Sequence, residues 1–484
     1  MTLLCLAAIW LAGFGLVRWL FPQPLGWSLH NLWLFSLAIG AGAGIASSVY
    51  FLVLILAGPS LAVLAAAMGA FVAIALALGW LGRRNSARLD WAEGPAVPGY
   101  LKYLFFAAAI LAVVMFLSAV LYNPHGEEGA WSIWNLRARF LFRAGPLWRL
   151  AFSSDLNWSH LDYPLLLPGL VALCWKFSGG DSTAAPVAIA LLFALGVVGV
   201  LICTVAALRG RILALLAGML LLGTASFAPL AASLYGDVPL SFYIVSTIAL
   251  LCLQERYPED PRFAALAGLM AGFGAWTRNE GVAFVAAILV ARIFVLLRSR
   301  ERAARFRQLL WMLAGMAAPL AILVTFKLRL APPSQLLSLP AATVLKNASD
   351  FGRWVTLIEG LLLALFNFGR FLIPIVVLLG LYWYLVRFRP DPRDRPALAT
   401  AWIALAITLA AQLIFDVLYE PDLPLEIGTS FERILLQLWP AALLAFFLAS
   451  GPLQSAAPER KTKAVGKAAK PKPTKSGRGV AEAR

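Results

Sequence analysis

Between Asn123 and Asp162 the chain gathers groups suited to acid–base and phosphate chemistry. Adjacent carboxylates Glu127 and Glu128 follow His125, and Asp155, His160 and Asp162 close the segment. Arg137, Arg139, Arg143 and Arg149 lie between them, interleaved with Trp131, Trp134, Trp148 and Trp158. Two successive carboxylates beside a histidine suit proton transfer, and guanidinium forks suit a phosphate mono- or diester. Acids near a helix start are also simply stabilising, so capping accounts cheaply for one of the pair. His125 and His160 are weak as metal ligands; no cofactor is assigned, and a divalent metal is left open.

This charge stands out against the rest of the chain. Of 484 residues 61% are hydrophobic and only 13% charged, with a mean hydropathy of +0.82. That composition excludes an ordinary soluble domain and fits an all-α polytopic membrane protein. Charge inside a bilayer is costly and is kept for function or placed at the water interface. Met1 to Leu20 lacks a basic leader and a small-residue cleavage site, so it reads as a retained span. Cys5, Cys174, Cys203 and Cys252 are scattered through apolar runs and read as small buried hydrophobes. The net charge of +16 is partly a tail effect, since residues 456–484 hold nine Lys/Arg against Glu459 and Glu482. Its Ala/Lys/Pro/Gly composition has no apolar period and reads as a solvated tail near anionic lipid, not a nucleic-acid arm.

Runs of about 20 apolar residues, the length of a span, fall at 3–17, 31–57, 60–82, 101–122, 184–208, 212–229, 236–254, 263–277, 280–297, 308–328, 370–388, 397–418 and 433–450. Basic residues collect in alternate connections: Arg83, Arg84 and Arg88; Arg209 and Arg211; Arg298 to Arg307; Arg387 to Arg395; and the tail. The positive-inside rule makes these cytoplasmic. Residues 163–177 are short and interrupted by Pro164 and Pro168, so they read as a partly inserted helix on the outer side, as do residues 353–368. About thirteen spans result, with the N-terminus outside and the C-terminus inside. The chain divides into extra N-terminal helices (1–100), a main membrane domain (101–450) and the tail (451–484).

This topology brings distant charges to one outer face: the 123–162 segment, Asp237, Glu280, and the acidic stretch with Glu420, Asp422, Glu426 and Glu432 ahead of Arg433. Asp237 sits where a helix would begin and reads equally as an N-cap; Glu280 reads equally as an ion-pair partner of Arg278. Residues 131–144 show helical spacing, with Trp131, Trp134, Ala138 and Leu141 on one face and Ser132, Asn135, Arg139 and Arg143 on another. Such a helix lies in the membrane interface, as a plain anchor or as one wall of a lipid-phosphate site.

In order along the chain, these stretches resemble a known family. They are Ala130-Trp131-Ser132-Ile133-Trp134-Asn135-Leu136-Arg137-Ala138-Arg139-Phe140, His160-Leu161-Asp162-Tyr163-Pro164, Gly236-Asp237-Val238-Pro239, Thr277-Arg278-Asn279-Glu280-Gly281, and Ser430-Phe431-Glu432-Arg433 with Gln437 and Pro440. The chain is similar over about residues 100–450 to membrane glycosyltransferases of the C-type (GT-C) fold, near the protein mannosyltransferase and lipid A aminoarabinose transferase group. The resemblance implies a polyprenyl-phosphate sugar donor, a glycan, lipid or protein acceptor, and an acid just before Ala130 acting on the acceptor. At the position where that acid is expected this chain has Gly129, with Glu128 one residue earlier. Carried over, Glu128, then Glu127 and Asp237, take the catalytic places. Arg139, His160, Asp162, Tyr163, Glu280 and Arg433 take substrate-binding ones. A multi-pass transporter or lipid flippase is the rival, as is a lipid-linked glycan polymerase or ligase. The absence of an internal repeat and the one-sided charge favour the transferase over transport.

Overall fold

Apolar runs punctuated by Gly, Pro and Ser give helices throughout the computed structural model, which describes residues 1–21, 29–82, 95–333, 339–386 and 390–450. The tail beyond residue 450, with Arg83, Arg84, Arg88, Arg387 and Arg389, lies outside the described residues. Among those described there is no strand, and eleven helices are long and apolar enough to cross a membrane. The chain is thus a multi-pass, all-helical membrane protein.

The helices are α1 (Thr2–Leu20), α2 (Leu29–Ala57), α3 (Leu61–Leu81), α4 (Gly99–Tyr122), α5 (Asn135–Arg143), α6 (Leu166–Ser178), α7 (Ala184–Arg209), α8 (Arg211–Leu222) and α9 (Phe227–Ala232). They continue as α10 (Asp237–Arg256), α11 (Pro261–Thr277), α12 (Asn279–Arg298), α13 (Arg302–Arg329), α14 (Ala341–Ser349), α15 (Phe351–Asn367), α16 (Ile375–Val386), α17 (Arg395–Tyr419) and α18 (Leu423–Ala449). Two expected spans come out shorter, and a third, though two residues longer than its apolar run, stays below about 20 residues. The run at 212–229 breaks after α8 at Gly223, and α9 resumes only after Ser226. The run at 370–388 becomes helical only at Ile375, because Pro374 precedes it. Helix α11 has 17 residues, about 25 Å at 1.5 Å each. In the other direction, residues 351–370 form a helical stretch long and apolar enough to cross.

Helix α10 is the axis. It is buried along nearly its whole length, and several of its polar groups tolerate the interior because they find partners in the protein, although Ser246 Oγ has none among the described residues. Ser241 donates to Leu436 O at 3.3 Å, Thr247 to Tyr243 O at 2.8 Å, and Gln254 to Tyr257 O at 2.8 Å. The N-terminal helices join this core, with the Tyr243 hydroxyl donating to Gly40 O of α2 at 3.0 Å.

Helix α11 lies against α13 at backbone contact. A Cβ on Gly268 would stand 1.9 Å from Met312 O, and one on Gly315 would stand 1.9 Å from Ala265 O. Small residues at such crossings let backbones approach where lipid supplies no hydrophobic drive. Gly268→Ala must therefore push the two helices apart. Its expected cost is about 1–3 kcal/mol, the range for overpacking, seen as a lower unfolding midpoint in detergent.

The ends of α10 divide the charge of the bundle. At its C-terminal end the Asp394 carboxylate, fully buried, accepts from Arg209 at 2.6 Å and Arg256 at 2.9 Å. Nearby Glu255 pairs with Arg292 at 3.1 Å and with Arg305. Arg209 and Arg305, which the sequence assigns to cytoplasmic connections, are here tied into buried ion pairs. At the N-terminal end of α10, Asp237 meets a second set of charges.

Candidate functional site

That second set begins with the link between α11 and α12. The two helices are joined by Arg278 alone, in extended conformation (φ −151°, ψ 161°). One residue between antiparallel helices leaves its side chain little choice, and Arg278 reaches across to Asp237. Its Nη1 donates to Asp237 Oδ1 at 2.7 Å, while Nε donates to Glu280 Oε2 at 3.1 Å and Nη2 to Glu280 Oε1. Gln437 also donates to Asp237 Oδ1, at 2.6 Å, and Arg433 donates to Oδ2 from Nη2 at 3.2 Å and Nε at 3.3 Å. Asp237 is therefore not an N-cap: Gly236 holds that position, and the Asp237 carboxylate is spent on three side chains. A carboxylate so occupied holds guanidiniums in place and has no lone pair left for a substrate proton.

Around this hub lies a cavity of about 790 Å³. Of the residues singled out from sequence, Glu128, His160, Asp162, Tyr163, Asp237, Glu280 and Arg433 line it. Residues spread over some three hundred positions thus meet in one place. Glu127 and Arg139 do not line it. Glu127 accepts from Asn123 Nδ2 at 3.2 Å. Arg139 pairs with Asp181 at 3.5 Å and lies over the Trp175 ring. His125 and Asp155 are also outside the lining; Asp155 closes a local turn with Ser153. Among the described residues no group of three or more His, Cys, Asp or Glu is placed to hold a metal ion.

Glu128 differs from the other acids of the cavity. It is the exposed one among them, and its carboxylate, like those of Glu420 and Glu426, makes no hydrogen bond among the described residues, so its lone pairs are free to accept a proton. Beside it the Gly129 N–H donates to the Tyr235 hydroxyl at 3.2 Å. A Cβ on Gly129 would stand 2.9 Å from the Tyr235 ring, and that ring is further held by Arg433, 4.6 Å from its centroid. The space a side chain at position 129 would enter is occupied by Tyr235, while the adjacent Glu128 lines the cavity.

The segment from Trp131 to Arg143 is helical as its spacing predicts, with one correction. Residues Ala130–Trp134 form a π-helical turn before α5. Such a turn carries an extra residue, which rotates Trp131 off the buried stripe. Trp131 is 50% exposed, whereas Trp134 is 4% and Ala138 and Leu141 are buried. Arg137, which the sequence did not single out as a site residue, is also buried. Its guanidinium donates to Tyr163 O at 2.7 Å, Ser159 O at 2.8 Å and His160 O at 2.5 Å. Burial pulls it down to about 10, so it remains cationic at neutral pH.

Arg137 clamps the turn that presents His160, Asp162 and Tyr163. His160 adopts a left-handed conformation (φ 47°), as does Leu234 (φ 63°) just before the Tyr235-Gly236-Asp237 corner. Side-chained residues enter that region at a cost, commonly beside functional sites. The His160 imidazole stacks on Tyr163, centroids 4.9 Å apart, and burial holds it below its ordinary value, hence neutral. Burial also pushes the Tyr163 phenol up, keeping it protonated. Asp162 accepts from Asn279 Nδ2 at 2.6 Å, and Lys327 donates to Asn279 Oδ1 at 2.9 Å. Lys327 thereby ties the turn to α12 and α13.

Three acids from the end of α17 and the start of α18 complete the lining: Asp416, Glu420 and Glu426. Burial and the neighbouring Glu426 push Glu420 up to about 7, with Arg353 acting the other way. A raised carboxyl favours the fold when protonated. Its stabilising contribution is complete below its ordinary value of 4.5 and is lost as pH rises through about 7. The unfolding midpoint of wild type relative to Glu420→Gln should therefore fall between pH 5 and pH 8, as read by thermal unfolding in detergent.

Fold and cavity together define the class: a multi-pass helical membrane protein with a polar cavity at one end of its helix bundle. Comparison with family models, curated proteins and solved structures gives no match to this chain.

Proposed function

We propose that the protein is a glycosyltransferase moving a sugar from a polyprenyl-phosphate donor to a glycan, lipid or protein acceptor. In this reading it works at the outer face of a bacterial inner membrane, with its N-terminus outside and its C-terminus cytoplasmic. The observation that carries the proposal is one cavity lined both by a carboxylate without a partner, Glu128, and by guanidinium groups, Arg433 and Arg278. Its place at one end of an apolar bundle suits a substrate whose tail stays in lipid while its head enters water. The resemblance of the Trp131–Phe140 and His160–Pro164 stretches to GT-C enzymes supports the same reading.

The chemistry is a single in-line displacement at the anomeric carbon. Glu128 takes the proton of the acceptor hydroxyl; the acceptor oxygen bonds to the anomeric carbon as the carbon–oxygen bond to phosphate breaks. The polyprenyl phosphate leaves with that electron pair. Arg433 meets its charge, because its side chain is 30% exposed whereas that of Arg278 is 7% and committed to two carboxylates. Asp237 fixes both guanidiniums, and Glu280 holds Arg278 from the other side. Membrane lipids complete the site. The reaction inverts the anomeric centre.

Purified protein in proteoliposomes, offered radiolabelled polyprenyl-phosphate sugars, tests the proposal. Transfer of label from lipid to acceptor is expected. No turnover of any lipid-linked sugar, together with measurable solute or lipid transport, would replace the transferase with a transporter.

A further inference from the structure

One wall of the cavity is more acidic than phosphate-linked transfer requires. Asp416, Glu420 and Glu426 line it, and the guanidinium that reaches this corner, Arg353, is spent on backbone. It donates to Val417 O at 2.8 Å, to Asp416 O at 3.4 Å and to Glu420 O. Asp416 is 1% exposed. Its Oδ1 accepts from Gln412 at 3.0 Å, but its Oδ2, also buried, accepts nothing. A buried carboxylate oxygen without a donor is costly, and such oxygens call for a ligand or another reason to persist. On the same wall stand Phe415 and Tyr419, ring centroids 5.2 Å apart.

Carboxylates beside aromatic faces hold an ammonium group through charge-assisted hydrogen bonds and cation–π attraction. A metal ion fits less well, because no three of the described acids, histidines or cysteines are placed to hold one. An ammonium needs no common focus, since its three N–H donors fan out to separate acceptors. We infer that this wall is a subsite for a primary ammonium group, carried by a lipid headgroup or a free amine, contacted by Asp416 and the Phe415–Tyr419 pair. This deepens the transferase reading by giving one substrate a positive charge; the binding itself needs no turnover to be seen.

The test uses the full chain in nanodiscs of phosphatidylglycerol, with tritiated ethanolamine as probe and ethylene glycol as the uncharged competitor. Saturable ethanolamine binding that ethylene glycol does not displace is expected. Asp416→Asn should weaken it about tenfold or more, in line with a lost charged hydrogen bond, and Glu426→Gln should weaken it less. Weaker apparent affinity in discs containing phosphatidylethanolamine supports a lipid headgroup as the source, and unchanged affinity supports a free amine. Binding no better than that of ethylene glycol, wild-type affinity in both variants, or displacement by Mn²⁺ would overturn the subsite. Ethanolamine binding without any sugar transfer would remove the transferase reading and leave the subsite standing. Transfer without ethanolamine binding would do the reverse.

Discussion

Glu128→Gln is expected to lower the rate of sugar transfer by about 10²–10⁴-fold, the usual contribution of a positioned general base, with KM for the lipid donor little changed. The amide keeps the size of the side chain and removes its ability to accept the acceptor proton. Because Glu128 is exposed and unpaired, the unfolding midpoint should stay within error of wild type. Glu127→Gln is the matched control. Glu127 stands outside the cavity lining, so its loss should change turnover by well under tenfold. Steady-state transfer from a radiolabelled donor, run on both variants, separates two acids adjacent in sequence and placed differently in space.

Asp237→Ala should be the most destabilising single change at the site. It leaves Arg278, whose side chain is 7% exposed, and the partly buried Arg433 without their shared carboxylate. Removing one partner of a buried ion pair costs about 3–5 kcal/mol, because the remaining charge stays uncompensated. Asp237→Asn should cost less, since Gln437 keeps an acceptor, yet it still withdraws the charge between two cations. Unfolding in mixed detergent micelles measures both. Activity should fall with each, while Arg278→Lys should not restore what Asp237→Ala loses, because an ammonium cannot bridge Asp237 and Glu280 as a guanidinium fork does.

Much of this arrangement was legible from residue type and spacing. Helices follow from the apolar runs, and the convergence of Glu128, Asp162, Asp237, Glu280 and Arg433 follows from which helix ends carry charge. The misses have specific physical causes. Trp131 leaves the apolar stripe because a π-helical turn shifts the register, and no spacing rule applied to Ala130–Trp134 announces one. Arg137 and Arg139 are two residues apart on one helix, and only the fold decides that Arg137 clamps the His160 turn while Arg139 pairs with Asp181. Lys327 lies near the end of α13, where a basic residue reads as a helix-end charge; its link to Asn279 is set by packing across 48 residues.

Asp416 enters only through the proposed ammonium subsite. A lone acid inside an apolar run is by default a functional candidate, and that signal was present between Arg395 and Tyr419. The run's overall hydropathy concealed it. Gly129 shows the opposite case: the departure from the pattern of the glycosyltransferases that the chain resembles was visible in the sequence, but the packing around Gly129 was not. Tyr235, more than a hundred residues away, fills the space and takes the Gly129 N–H as a donor.

The most direct test of the central claim follows a single turnover of radiolabelled polyprenyl-phosphate sugar, with wild type and Glu128→Gln side by side. Wild type should release one polyprenyl phosphate per sugar transferred and give a product whose anomeric configuration is opposite to that of the donor. Glu128→Gln should bind the donor and release almost none. A retained configuration, or undiminished release by Glu128→Gln, would contradict a single displacement driven by Glu128 in this cavity.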